Sequence, residues 1–459
     1  MKTGEQYLAS LDDGRKVWFE GELVERIADH PILGRSAQLI AEGYDKVYDP
    51  TGDHSPFSDV PTDAAGLREH IDFVHDLGML AHVTYTSIMT LLTAAGRIMD
   101  SCPEEVERIN AFVARARAED IRITQCITDA KGHRKVRPGQ QEDPDSYVHV
   151  VERRDDGVVV RGAKLHITAA SLGHELMVIP TKGMKPGEED YAIACMIPVN
   201  APGVKIVDVS YAPRHADTGT FPVSGPVSYP ESFVILDDVF VPTERIFLDG
   251  QTKYATVFAH SLGLWERLGG LSSMADGADL LVGLAQLIAQ ANGTESVAHV
   301  RDKIDDMIIQ ATLIRASLEA AITHCHVGDN GAAFPDELYT NAGKYYAASH
   351  YDRLVQSLHD IAGGSIVTAP SLADLQNPEV GPAVRKYMQG NPEFDGETRL
   401  RLFHVIRDLT ADTYGGWRLV TNIQAGGGLY AQKIVTRKWY PMESAVARAK
   451  ELVGVPFAP

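Results

Sequence analysis

Gly157-Val158-Val159-Val160-Arg161-Gly162, directly after the turn pair Asp155-Asp156, decides the fold. Three consecutive β-branched residues bounded by Asp and Gly make one arm of a hairpin, because branched side chains suit a pleated surface and Asp and Gly suit the turn. The short period recurs from Ile121 to about Leu248. Glu175 to Thr181, Tyr191 to Val199, Val204 to Ser210 and Ser232 to Val241 are β-rich runs separated by Gly, Pro and Asp turns, which predicts a compact β-barrel or sandwich.

On both sides of this middle part the period is helical. From Ala64 to about Ala118, Leu67, Ile71, Val74 and Leu77 recur at helical spacing, and Pro103-Glu104-Glu105 opens a further helix with carboxylates that suit its dipole. Beyond Phe258, Val300, Ile304, Met307, Ile308, Ala311, Ile314, Leu318 and Ile322 form one apolar stripe, with Arg301, Asp302, Asp305 and Asp306 off it. The expected organisation is an N-terminal helical domain (1–118), a central β-barrel domain (119–250) and a C-terminal four-helix-bundle domain (251–459). That order is also the layout of the acyl-CoA dehydrogenase fold.

A chain of 459 residues exceeds one ordinary core, and 44% hydrophobic with 23% charged residues is a globular composition. The net charge of −19 argues against nucleic-acid binding, which is built from Lys and Arg on phosphates, and against docking on anionic membranes. The start of the chain lacks an apolar signal segment, and no uninterrupted apolar run reaches about 18 residues. A cytoplasmic protein is expected. Cys102, Cys126, Cys195 and Cys325 are scattered, a pattern of reduced thiols rather than of disulfides or zinc.

Several segments together resemble the 4-hydroxyphenylacetate 3-hydroxylase / 4-hydroxybutyryl-CoA dehydratase flavoprotein family. They are Thr3-Gly4-Glu5-Gln6-Tyr7-Leu8-Ala9-Ser10-Leu11 with Asp29-His30-Pro31, Thr128-Asp129-Ala130-Lys131-Gly132-His133-Arg134, Arg161 to Thr168, Phe233 to Pro242, and Asp360-Ile361-Ala362-Gly363-Gly364. The resemblance covers nearly the whole chain in order. It implies an acyl-CoA-dehydrogenase-like fold, a homotetramer, and flavin bound between the β-domain and the C-terminal helices. The flavin would be FAD, supplied reduced by a separate flavin reductase, with FMN as the alternative.

The dehydratase branch of the family carries a four-iron cluster held by three Cys and one His. Its ligands should lie near His82 to Ile88 and near Trp265-Glu266-Arg267 to Ser272-Ser273, where the sequence has no Cys, and no His in the second segment. Iron–sulfur clusters need such ligands at fixed positions, so no metal site is expected. What remains is a flavin-only site. It resembles that of the reduced-flavin-dependent group D monooxygenases, which hydroxylate an aromatic or related small molecule through a flavin C4a-hydroperoxide. A flavin-only acyl-CoA dehydratase, isomerase or dehydrogenase is the second reading, and a non-catalytic flavoprotein-like scaffold the third.

Candidate residues follow from the resemblance. His133, a substrate-side base, Arg134, a charge partner, and Glu231, matching a carboxylate base of the dehydratase, are the catalytic candidates. Thr128, Lys131 and Gly132 in the loop, His166, Ile167 and Thr168 on the strand, and Gly363 and Gly364 are the cofactor candidates. Alternation along the strand sends His166 and Thr168 to one face. Tyr85, Thr86 and Ser87 are the substrate-pocket candidates.

Overall fold

The structure, a computed structural model, describes residues 1–78, 81–214, 219–226 and 229–454; the end of the expected bundle domain, 455–459, lies outside them. Five helices belong to the N-terminal part: α1 (Gly4–Ser10), α2 (Leu33–Val47), α3 (Ala64–Leu77), α4 (His82–Ile98) and α5 (Pro103–Ala118). Twelve strands are described. Ten make the β-part: β1 (Val17–Phe19), β2 (Glu22–Leu23), β3 (Ile123–Cys126), β4 (His149–Arg154), β5 (Gly157–Thr168), β6 (Glu175–Val178), β7 (Ile193–Pro198), β8 (Val204–Val209), β9 (Glu231–Pro242) and β10 (Ile246–Asp249). The remaining two, β11 (His326–Val327) and β12 (Ala333–Phe334), pair with each other between helices of the C-terminal part.

The expected barrel is not formed. Six strands lie in the order β2-β1-β8-β9-β5-β4 and four in the order β10-β7-β6-β3, so the β-part is two open sheets. Val160, Ile167, Val234 and Leu236 of the first, with Leu176, Val178, Cys195 and Ile197 of the second, are buried in one core. Closure fails for a local reason. β5 already pairs with β4 and β9, and the end of β3 reaches it through a single bridge, Asp129 to Lys164. The first sheet also draws in β1 and β2 from the N-terminal segment, β1 running parallel to β8.

The C-terminal part is built on α6 (Thr252–Asn292), α7 (Ala298–Thr323) and α8 (Glu337–Ala362). Seven shorter helices follow: α9 (Ser365–Thr368), α10 (Leu372–Gln376), α11 (Gly381–Met388), α12 (Gly396–Thr410), α13 (Thr413–Gln424), α14 (Leu429–Trp439) and α15 (Met442–Val453). The α7 stripe is buried as expected except at Ile308, which is 45% exposed. Residues three and four apart share a face, and 308 stands about 100° round the helix from Met307, beyond the edge of the stripe. By length and apolar composition α6 alone among the described helices could cross a membrane, yet much of it forms the bundle core. All four cysteines are free. Burial pushes the Cys126 and Cys195 thiols up to about 12, which makes them inert core residues.

The bridge between the sheets carries a charge pair. Lys164 Nζ lies 2.7 Å from Asp129 Oδ1, both side chains at most 3% exposed, and donates to the carbonyls of Ile127 and Ile179 at 2.9 Å each. Asp129 also accepts from the Val148 amide at 3.0 Å. Burial raises the Asp129 carboxyl despite the pull of Lys164. Removing one member of such a pair leaves an uncompensated buried charge. Lys164→Ala is therefore expected to lower stability by about 3–5 kcal/mol in urea unfolding; a loss under about 1 kcal/mol would show that the pair is not a structural anchor.

Candidate functional site

The loop leaving β3 is fixed at both sides. The Leu165 amide donates to the Thr128 carbonyl at 2.7 Å and the Lys131 amide to the Ser146 carbonyl at 2.8 Å. Lys131 and Gly132 both have positive φ, 73° and 47°. A Cβ on Gly132 would fall 2.4 Å from Gln141 Oε1, so glycine is required there. The Gln141 side chain closes the turn by accepting from the His133 amide at 3.0 Å and donating to its carbonyl at 3.1 Å. The His133 and Arg134 side chains are exposed.

Next to this loop β5 bulges. Its register on β9 shifts between Lys164 and Ile167, and His166 takes a φ of 59°. One extra residue is accommodated there. Lys164 and Ile167 point into the core, while His166 is exposed and Thr168 half-buried. Lys131 and Arg134 form a cationic pair beside His166, whose imidazole they and burial keep toward its neutral form. Burial and then the neighbouring charges of Arg134 and, more weakly, Lys164 and Lys182 lower Lys131; burial, Lys131 and Arg134 lower His166. In a chain of net charge −19 this pair of mutually repelling cations, Lys131 and Arg134, suits an anionic ligand group.

At the far end of β5 the Thr168 hydroxyl donates to Glu231 Oε2 at 3.0 Å, and Trp417 Nε1 of α13 donates to Glu231 Oε1 at 3.0 Å. Burial raises the Glu231 carboxyl against these two hydrogen bonds. Tyr211 stacks on Trp417 with ring centroids 4.5 Å apart. α13 thus covers the strand end, and its C-terminal turn is held to the bundle. Lys344 Nζ of α8 donates to the Asn422 carbonyl at 2.6 Å, and Arg267 Nε of α6 to the Gly426 carbonyl at 2.8 Å. Cations on the terminal carbonyls complement the helix dipole. Five residues separate Trp417 from Asn422, about 7.5 Å along the helix, so α13 links the β-part and the bundle across a short gap.

The N-terminal part supplies the third wall. Tyr85, Thr86 and Ser87 are all buried on α4. The Ser87 hydroxyl donates to its own helix at the Val83 carbonyl, 2.6 Å away. Tyr85 packs on His70 with centroids 4.3 Å apart, and its buried hydroxyl has no hydrogen-bond partner. Thr86 lies 3.1 Å from Glu266 Oε1 of α6 and accepts from Gln125 Nε2 of β3. His82 Nε2 lies 3.5 Å from the same Glu266 oxygen.

The two segments expected to hold iron ligands in the dehydratase branch do meet, and His82, Thr86 and Glu266 stand at their junction. Among the described residues no group of three or more His, Cys, Asp or Glu could hold a metal ion. Around this junction α6, otherwise largely buried, exposes Glu266, Gly269, Gly270 and Ser273 to solvent in part or fully. These positions share one helical face, which solvent reaches. Gly363 and Gly364 are exposed at the end of α8, Gly363 with a φ of 79°, as a helix terminus requires. Gln125, His82, Glu266 and Trp417 were not among the sequence candidates. Each is a polar or aromatic side chain contributed by a different element, so no spacing in the chain joins them.

Family models described as the 4-hydroxyphenylacetate 3-hydroxylase N-terminal and C-terminal domains match residues 3–248 and 255–454. A 4-hydroxybutyryl-CoA dehydratase/vinylacetyl-CoA-Δ-isomerase of Clostridium aminobutyricum is 24% identical over 99% of this chain and 100% of its own. The oxygenase component of a 4-hydroxyphenylacetate 3-monooxygenase of Thermus thermophilus is 26% identical over 90% of this chain and 89% of its own. The crystal structure of the oxygenase component of 4-hydroxyphenylacetate 3-monooxygenase complexed with FAD and 4-hydroxyphenylacetate superposes with a TM-score of 0.90. It is 24% identical and the match covers 99% of this chain and 98% of that one. The expected acyl-CoA-dehydrogenase-like order of helices, sheets and bundle is thus the observed one.

The Trp417 indole tests how α13 is tied to the strand end. Trp417→Phe keeps the ring and removes the donor to Glu231, with an expected loss of about 1–2 kcal/mol in urea unfolding. Because its pKa in the fold is raised, Glu231 contributes stability that is fully present below its unfolded pKa and lost as pH rises through the folded one. The variant should lose stability more steeply over that rise than the parent. Superimposable pH–stability curves would show that the indole does not support the charged carboxylate.

Proposed function

The chain belongs to the 4-hydroxyphenylacetate 3-hydroxylase family, and from that premise we propose that it is the oxygenase component of a two-component, reduced-flavin-dependent monooxygenase acting on a phenol or related small molecule. The observation that carries this reading is the cationic pair of Lys131 and Arg134 beside the outward-turned His166 at the β5 bulge. Thr128, Lys131, Gly132, His166 and Thr168 would hold FAD, with Ile167 offering only its backbone because its side chain is 1% exposed. The cations relieve their own repulsion by pairing with the flavin's phosphates. When bound, the reduced flavin supplies the electrons that let dioxygen deliver one oxygen atom to substrate.

The protein's part is to bind, orient and keep water out. Substrate would lie between α13 and the α4–α6 junction, with Tyr85 and Thr86 behind it. The exposed positions of His133 and Arg134 suit charge recognition at the mouth, and Gly363 and Gly364 suit close backbone approach by flavin. The working assembly is a cytoplasmic homotetramer served by a separate flavin reductase; exposed apolar residues on the terminal helices, Tyr430 at 78% and Leu452 at 90%, support self-association. One observation favours CoA-ester chemistry instead, namely the raised carboxyl of Glu231, which would suit a base for an acidic C–H bond.

Full-length protein given reduced FAD, oxygen and a panel of phenols is expected to incorporate one oxygen atom into product and to leave crotonyl-CoA and vinylacetyl-CoA unchanged. Double-bond migration without phenol hydroxylation would overturn the assignment. Lys131→Glu with Arg134→Glu is expected to weaken FAD binding at least about tenfold in fluorescence titration, about 1.4 kcal/mol. Unchanged affinity would move the flavin phosphates elsewhere.

A further inference from the structure

His82, at the start of α4, is half-buried, with 26% of its side chain reached by solvent, and Glu266 beside it is 15% exposed. The Cε1 edge of the imidazole points at α6 where that helix has no side chain. A Cβ on Gly269 would fall 2.3 Å from His82 Cε1 and 3.0 Å from Nδ1. Glu266 faces the other nitrogen at 3.5 Å and is itself steadied by Thr86, which Gln125 holds in turn. We propose that His82, oriented by Glu266, is the proton acceptor for the substrate hydroxyl, with Nδ1 as the accepting atom. This rests on the monooxygenase reading above.

The step balances simply. The substrate O–H bond breaks, its proton forms an N–H bond at His82 Nδ1, and a phenolate remains; no electrons change hands. The imidazolium so formed is held by the Glu266 carboxylate, and its proton returns to solvent after product leaves. An oriented histidine with a carboxylate behind it is a familiar base arrangement, and a phenolate is the electron-rich form that accepts oxygen. The exposed His133 lacks such an orienting carboxylate among the described contacts.

The charges around His82 set the direction of its titration. Burial alone would lower the imidazole, but the charge and hydrogen bond of Glu266 on α6 outweigh it and raise it above its usual value. Glu266 is held low, burial being outweighed by His82, Gln125 and Thr86 together. Lys344 of α8, across Gly270, feels Glu266; β3 and the rest of this α4 turn contribute the neutral Gln125 and Thr86. A base must be unprotonated, so activity should rise with pH through a His82 value above about 6.5.

The test uses the full chain and two readouts. In kcat/KM against pH for a phenol with reduced FAD, the parent should show that rising limb. His82→Gln should lose it, with a drop of about 100-fold on the plateau; Glu266→Gln should move it to lower pH; Gly269→Ala should resemble His82→Gln by displacing the ring. In the second readout, 4-nitrophenol added to the non-turning-over protein should bind as the yellow phenolate below its solution pKa, and His82→Gln should bind it uncoloured. Circular dichroism and FAD titration exclude misfolding. A parent-like limb or parent-like phenolate colour in His82→Gln overturns the proposal, as does a parent that binds no phenolate. Phenolate binding without hydroxylation instead sinks the monooxygenase reading and leaves the proton acceptor standing.

Discussion

The buried pair Lys164–Asp129 is the constraint from which the rest of the site follows. It joins the loop after β3 to β5 through a single bridge and so fixes where the segment from Thr128 to Arg134 runs. Within a few residues of the pair, the β5 bulge turns His166 outward beside Lys131 and Arg134. A cation in the core is costly unless its donors are used. Here all of them find oxygens: one carboxylate and two carbonyls. The outer cations, by contrast, have only one another and a weaker Asp129, and that difference separates a structural lysine from binding ones.

Around this anchor three parts of the chain meet. β9 and β5 bring Glu231 and Thr168, α13 lays Trp417 over them, and the far end of α13 is capped by Lys344 and Arg267 from the bundle. α4 brings His82 and Thr86 against Glu266. The glycines at 269 and 270 have a steric purpose: one admits the imidazole and the other the Lys344 stem, with a would-be Cβ 2.8 Å from Lys344 Cε.

Much of the fold was legible because periodicity is a local signal. The Val158–Val160 arm, the α7 stripe and the turn residues each declare their element within a dozen positions. Sheet closure was not, since whether β3 reaches β5 depends on partners far apart in sequence. Ile308 went astray for a smaller reason, sitting one residue off a stripe that curves round its helix. In the site, the loop Thr128–Arg134 and the strand through Thr168 were found because their residues are contiguous. The His82–Glu266 contact spans α4 and α6, and both segments were singled out for missing cysteines rather than for what they carry. Trp417 carried no signal at all, being one aromatic on a short helix whose neighbour, Glu231, is 186 residues away.

The central claim is that flavin lies between the outer face of β5 and the solvent-reached face of α6. A crystal structure of the full chain with FAD tests it most directly. The account predicts the phosphates against Lys131 and Arg134 and the ring between Thr168 on one side and Gly269 and Gly270 on the other. A ring bound elsewhere, or no bound flavin at saturating FAD, would contradict it.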